Sequence, residues 1–281
     1  MIDLHSHSTA SDGTDEPAEV VGLAHAAGLS ALALTDHDTL EHLAEAKAAA
    51  AEHRIRLVPG CEISCELGDR APGTMHLLVY FADDDPGPLR DRLREMQGGR
   101  GDRNVQIVDT LRANGMDITF EEVLEVAGDG SVGRPHIARV LLRRGYVDSI
   151  QDAFDRWLAK GRPAYFDRVR LTPEDSIDLA HASGAITVLA HPLSLDLERG
   201  ALEVFLDELA SAGLDGVECE YGRYTPDERA GLRAEAEARG LAVTGGSDYH
   251  GANKPDLAVG VGRGDLVVPD DLLDALESRR P

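Results

Sequence analysis

Ala31-Leu32-Ala33-Leu34-Thr35-Asp36-His37-Asp38-Thr39 is a short apolar run that breaks off into polar side chains of the metal-ligand type. It follows Gly28 and precedes Leu40 to Arg54, an Ala-rich stretch of strong helix formers. A brief apolar segment bounded in this way reads as a buried strand, residues 31–35, leading into a helix. The same unit recurs on either side. Upstream, residues 2–8 read as a strand and Pro17 to Ala27 as a helix ending at Gly28. Downstream, strands are predicted at 56–66, 75–81, 185–190, 216–220 and 241–246, with helical runs such as Leu202–Ala212 and Thr225–Arg239 between the later ones. Seven strands alternating with helices predict an α/β fold with a parallel sheet, open or closed into a barrel. Between the fourth and fifth strands the alternation stops. Residues 86–183 are almost wholly helical, with turn signals at Gly98-Gly99, Gly115, Gly128–Gly130, Gly145 and Gly161. This predicts a barrel domain from 1–85 and 184–281 with a helical subdomain inserted at 86–183.

Composition narrows the function. A 281-residue chain with 42% hydrophobic residues fits one large domain, or one domain with an insertion. Its apolar runs are too short to span a bilayer, and the N-terminus has neither a basic region nor a long apolar stretch. A cytoplasmic protein with no membrane partner is expected. The net charge of −23 argues against non-specific binding to duplex DNA. A mononucleotide or short oligonucleotide stays compatible, because bound metals invert the local field. Three cysteines, Cys61, Cys65 and Cys219, cannot all pair and lack a zinc-ribbon spacing, so they read as small buried residues.

The eleven histidines are unevenly placed. His25, His42, His53 and His181 fall among helix formers and read as surface residues. Most of the others lie at or just beyond strand ends beside acidic residues, and in a β/α barrel the carboxyl ends of the strands converge on one face. Strand one carries Asp3-Leu4-His5-Ser6-His7, whose period of two puts His5 and His7 on one face, with Asp12 in the loop that follows. Strand two offers His37, while alternation turns Asp36 and Asp38 away from it. Glu62 follows Pro59-Gly60, His76 opens the fourth strand, and His191 ends the fifth in Leu189-Ala190-His191-Pro192. Asp248 and His250 share a face after Gly245-Gly246. A lone His-x-His is more often incidental than a ligand pair, and His76 alone reads equally well as a core histidine. It is the set, six strand ends each offering such a side chain, that points to a metal site. Imidazoles and carboxylates without thiolate suit Mn²⁺, Fe²⁺ or Zn²⁺.

His5-Ser6-His7, Ser11-Asp12-Gly13, Thr35 to Thr39, Gly60-Cys61-Glu62-Ile63-Ser64, Ala190-His191-Pro192 and Ser247 to His250 together resemble the motifs of the PHP family, named for polymerases and histidinol phosphatases. The resemblance runs in order over residues 1 to about 82 and 185 to 250. It implies a distorted seven-stranded, TIM-like β/α barrel holding two or three divalent ions. By motif, one ion would take His5, His7, Glu62 and Asp248, and a second Asp12, His37 and His250. A third would share Glu62 and add His76 and His191.

The insertion contains Gly133-Arg134-Pro135-His136 at a predicted helix start, with Ser131 just before it. An arginine fork and a helix N-terminus suit a phosphate, although Pro at a first turn is also an ordinary helix start. The segment looks like one in the nucleotide-phosphatase branch of the family, which implies that Arg134 and His136 contact substrate phosphate. Arg100, Arg103 and Asn104 are further candidates there. Clustered ions make hydroxide available near neutral pH, and His136, His191 or a metal-bound water could protonate the leaving oxygen. The resemblance implies removal of the 3′-phosphate from nucleoside 3′,5′-bisphosphates, with action on short 5′-phosphorylated oligoribonucleotides alongside it. Histidinol-phosphate phosphatase and a non-catalytic binding module are the competing readings. An amidohydrolase would want a bridging lysine at a strand end, and Lys47, Lys160 and Lys254 do not fall at one.

Overall fold

The computed structural model describes residues 1–82, 87–127, 132–166 and 170–280, with only the backbone at 99–102. Seven strands form one sheet in sequence order: β1 (Ile2–Asp3), β2 (Ala31–Leu34), β3 (Arg56–Ser64), β4 (His76–Tyr80), β5 (Ile186–Leu189), β6 (Gly216–Tyr221) and β7 (Ala242–Gly246). The chain returns to its start. The Leu4 N–H donates to the Gly245 carbonyl (3.1 Å) and the Asp248 N–H to the His5 carbonyl (2.8 Å), so β7 and the segment after β1 bring the barrel to near closure. Strand one is shorter than the expected 2–8. Its regular ladder with β2 covers Ile2 and Asp3, and residues 4–7 also bond toward the end of β7, with Ser6 still bonded to Ala33 and Thr35.

The sheet is not parallel throughout, contrary to the expectation from alternation. β4 runs antiparallel to both β3 and β5. No helix separates β3 from β4, and a parallel return needs a crossover of about a dozen residues or more. The reversal matters for chemistry. In the β3–β4 register Ser64 faces His76, so the amino end of β4 lies at the rim formed by the carboxyl ends of its neighbours.

Helices α1 (Pro17–Ala26) and α2 (Leu43–His53) cover the first strands. Val20, Val21 and Ala24 of α1 and Ala46, Ala49 and Ala50 of α2 share one core with Leu32 and Leu34 of β2. The alanines let the two helices approach closely. His42, expected at the surface of a helix, is buried instead. It immediately precedes α2, with Nδ1 3.2 Å from Asp36 Oδ2 and Nε2 against the Leu34 carbonyl. The thiols of Cys61, Cys65 and Cys219 are buried and unpaired with one another.

Two compact units result: Met1–Arg92 with Arg170–Pro281, and Leu93–Val169. The second is narrower than the expected insertion because the helix Pro173–Ala182 packs on β4 and β5 as the crossover into β5. Helix α3 (Pro88–Ala113) runs through Gly98 and Gly99, where a turn was expected. Each interior glycine costs about 1 kcal/mol relative to alanine, and the flanking helix formers override that. The second unit also contains α4 (Phe120–Ala127), α5 (Arg134–Arg143) and α6 (Ile150–Ala153), around a core of its own that includes Ile107, Leu111, Ile118, Ile137, Leu141 and Leu158.

Candidate metal centre

The nine side chains singled out from strand ends meet at one rim of the barrel. The floor is Glu62, His5, His7 and Asp248, all essentially inaccessible to solvent. Glu62 Oε2 lies 3.1 Å from His37 Nδ1, 3.2 Å from His7 Nε2 and 3.4 Å from His5 Nε2. Its Oε1 lies 2.9 Å from His76 Nδ1 and 3.0 Å from His191 Nε2. Asp248 Oδ1 is 3.5 Å from both His5 Nε2 and His7 Nε2. Toward solvent, Asp12 reaches His250 Nε2 at 3.2 Å, His7 Nδ1 at 3.6 Å and His37 Nε2 at 3.8 Å.

Four overlapping groups each bring ligand-type atoms within 4.8 Å of one another: His7, Asp12, His37 and His250; His5, Glu62 and His191; His5, His7 and Asp248; and His37, Glu62 and His76. Each of the nine residues belongs to at least one of these groups. The grouping is less partitioned than the motif assignment: His7 sits with Asp12, His37 and His250 as closely as with His5, and His37 sits with Glu62 and His76.

The ionisable groups of the rim shift one another strongly. Burial penalises a charged His5, but Glu218, Glu62 and Asp248 outweigh it and hold its pKa well above the usual histidine value. Burial, then the neighbouring His250 and His37, push His7 down to about 3. Burial alone would raise Glu62 and Asp248. The imidazoles around Glu62, and His5 with Lys254 beside Asp248, instead hold both carboxyls well below their ordinary range. Two further observations fit a divalent ion. His37 Nδ1 is buried and, although 3.1 Å from Glu62 Oε2, is not aligned to hydrogen-bond with it, and His5 Nε2 faces His7 Nε2 at 3.1 Å among carboxylates. A first-row divalent cation between such nitrogens and oxygens would resolve both contacts.

Several residues that support this rim escaped the sequence reading. Glu218 in β6 touches His5 and the backbone of His191. The Tyr221 hydroxyl donates to Asp248 Oδ2 at 2.6 Å, and Lys254 donates to the same oxygen. Asp3, fully buried, accepts the N–H groups of Ser247 (2.9 Å) and Gly260 (2.8 Å). Asp36, turned from the rim as expected, accepts the Ser8 N–H at 2.8 Å and the Ser11 hydroxyl at 2.6 Å, which shapes the loop presenting Asp12. The available signal was a carboxylate inside an otherwise apolar strand, as in Val217-Glu218-Cys219. Such a group is costly unless it is paired.

In the helical unit, Arg134 and His136 open α5. The Gly133 N–H donates to His136 Nδ1 at 3.0 Å. Arg134 donates to the Leu158 carbonyl at 3.0 Å and lies over the Tyr165 ring. Arg103 is buried and donates to Asn104 Oδ1, and Asn104 in turn donates to the Val132 carbonyl. These side chains therefore have local structural partners as well as their proposed roles. Ser131 and the side chain of Arg100 lie outside the described residues.

Barrel and rim together set nine potential ligands for divalent ions on one face of an α/β barrel. A family model described as "PHP domain" matches residues 3–98. The chain is 32% identical over 260 residues to a 3′,5′-nucleoside bisphosphate phosphatase of Chromobacterium violaceum, covering 92% of this chain and 90% of that one. It is 34% identical over 248 residues to a 5′-3′ exoribonuclease of Haemophilus influenzae, covering 88% and 89%. Its fold superposes on a protein of Bifidobacterium adolescentis, provisionally assigned as a metal-dependent phosphoesterase, with a TM-score of 0.81 and 28% identity. That match covers 100% of this chain and 96% of the other. The chain belongs to the PHP family and is a metal-dependent phosphoesterase. Among the described residues no helix is long and apolar enough to cross a membrane.

Proposed function

We propose that this enzyme removes the 3′-phosphate from nucleoside 3′,5′-bisphosphates and also acts on short 5′-phosphorylated oligoribonucleotides. The observation that carries the substrate class is the match, over nine-tenths of both chains, to a bisphosphate phosphatase, a span that includes the helical unit as well as the barrel. The nine rim residues would hold two or three ions, with Mn²⁺, Fe²⁺ and Zn²⁺ all compatible with the donor set. Ions bound there would supply Lewis acidity and make a water nucleophile available near neutral pH.

The chain's own residues would do the rest. His191 is held at Nδ1 by Ser194 (2.8 Å) and points Nε2 at Glu62, which supports a ligand role over that of proton donor. His136 accepts at Nδ1, so in the neutral ring its proton is on Nε2. Burial and then Arg139 lower its pKa, which keeps that neutral donor form dominant at neutral pH. On this reading His136 and Arg134 contact the substrate's phosphate oxygens, with Ser131 and Arg103 as additional contacts.

The test is phosphate release from adenosine 3′,5′-bisphosphate with Mn²⁺ supplied, beside a 5′-phosphorylated RNA oligomer and histidinol phosphate. Fastest turnover on the bisphosphate is expected, with His191→Ala and Asp248→Ala abolishing it. A clear preference for histidinol phosphate, or near-normal activity in either variant, would overturn the reading.

A further inference from the structure

We propose that Glu218 is a positioning residue of the metal centre, its two carboxylate oxygens orienting two candidate ligands at once, the ring of His5 and the backbone of His191. The inference rests on the metal-centre reading above. β6 is the one strand that contributes none of the nine rim residues. Yet it carries a fully buried glutamate between Val217 and Cys219. Glu218 Oε1 is 2.9 Å from His5 Nδ1, and Oε2 accepts the His191 N–H at 2.8 Å.

The first contact sets a tautomer. A carboxylate can only accept, so in the neutral His5 ring the proton sits on Nδ1 and the lone pair on Nε2. Nε2 is the nitrogen that faces His7, Glu62 and Asp248. A carboxylate behind a ligating histidine fixes ring orientation and raises its basicity. The second contact holds a strained backbone. His191 has φ +28° and ψ 63°, an uncommon conformation for a residue other than glycine. With its N–H anchored on Glu218 and Nδ1 on Ser194, its Nε2 reaches Glu62 Oε1 at 3.0 Å.

Glutamine at this position is isosteric but can serve only one partner. With its oxygen toward His5, its amide N–H₂ opposes the His191 N–H. Flipped, it donates to His5 Nδ1 and drives the ring proton to Nε2, removing the lone pair from the cluster. Glu220, in the same strand and bonded to Arg233 (2.7 Å), provides a control.

The experiment compares Mn²⁺ titrations, Co²⁺ absorption spectra and metal-free unfolding curves for wild type, Glu218→Gln and Glu220→Gln. Glu218→Gln is expected to unfold cooperatively, bind at least one ion about 10- to 100-fold more weakly and show an altered Co²⁺ spectrum. Glu220→Gln is expected to match wild type. Wild-type affinity, stoichiometry and Co²⁺ spectrum in Glu218→Gln would overturn the proposal. If that variant does not fold, ¹⁵N-histidine spectra of the Zn²⁺-loaded wild type decide: a His5 proton on Nδ1 supports the proposal, and one on Nε2 overturns it. A wild-type protein that takes up no ion would overturn the metal-centre reading itself, and this inference with it.

Discussion

Five imidazoles, those of His5, His7, His37, His76 and His191, converge within 3.4 Å of the two oxygens of Glu62. These close pairings of ionisable groups make the stability of the cation-free protein dependent on pH. Glu62 and Asp248 have folded pKa values below their ordinary 4.5 and 3.8. Each therefore contributes stability above those values that is lost as pH falls through the folded value. His7, held down to about 3 against an ordinary 6.5, adds a loss in the same direction between those two values. His5, with a raised pKa, contributes stability in full below 6.5 and loses it as pH rises. Below about 4.5 nothing more can be gained from His5, so the losses stand alone. The urea midpoint of EDTA-treated protein is expected to drop steeply between pH 4.5 and 3.5, and less steeply in Glu62→Gln. An equal slope in the two proteins would refute the assignment. At this scale the candidate ligands could be read from the sequence because they sit at predicted strand ends. Tyr221 and Lys254 could not, and Glu218 was marked only as a carboxylate within an apolar stretch, because the groups they touch, His5, His191 and Asp248, are remote in sequence or reached through a loop.

The elements owe their positions to two features that hydrophobic periodicity does not encode. One is strand direction. β4 reads like its neighbours as an apolar run, but its antiparallel course places His76 at the same rim from its amino end. The other is barrel closure between β7 and the segment following β1. A Cβ on Gly246 would lie 2.4 Å from both the Cβ and the backbone nitrogen of His5, and both neighbours are themselves constrained. Gly246→Ala is therefore expected to destabilise the fold by about 1–3 kcal/mol, the usual cost of overpacking, and to weaken metal binding by displacing His5. Equilibrium urea unfolding measures the first effect. A change under 0.5 kcal/mol would mean that the closure is looser than its geometry, since surface-like tolerance is about that size.

For the molecule as a whole, carboxylates and imidazoles are concentrated at one rim, so a cation bound there is expected to stabilise the fold. A ligand that binds only the folded chain stabilises it by mass action, about 2.7 kcal/mol at 100-fold above its dissociation constant. The thermal midpoint of the barrel unit is expected to rise with Mn²⁺ concentration and fall to a fixed lower value in chelator. A midpoint indifferent to both would contradict a preformed centre. The helical unit has its own core, from Ile107 to Leu158. A circular-dichroism melt should therefore show a helical component that does not follow the metal.

The sequence by itself determined the number of strands, their order of appearance, the helical interruption and the nine side chains that meet at the rim. Each of these is local: an apolar run, a helix former, a ligand-type residue at a strand end. Tertiary structure alone decided the direction of β4, the burial of His42 against Asp36, the continuity of α3 through Gly98-Gly99 and the carboxylate of Glu218 behind His5 and His191. The first is a matter of how a connection returns, and the others of which distant groups pack together. Neither can be read from a single segment, because the energies that decide them come from contacts the segment does not contain.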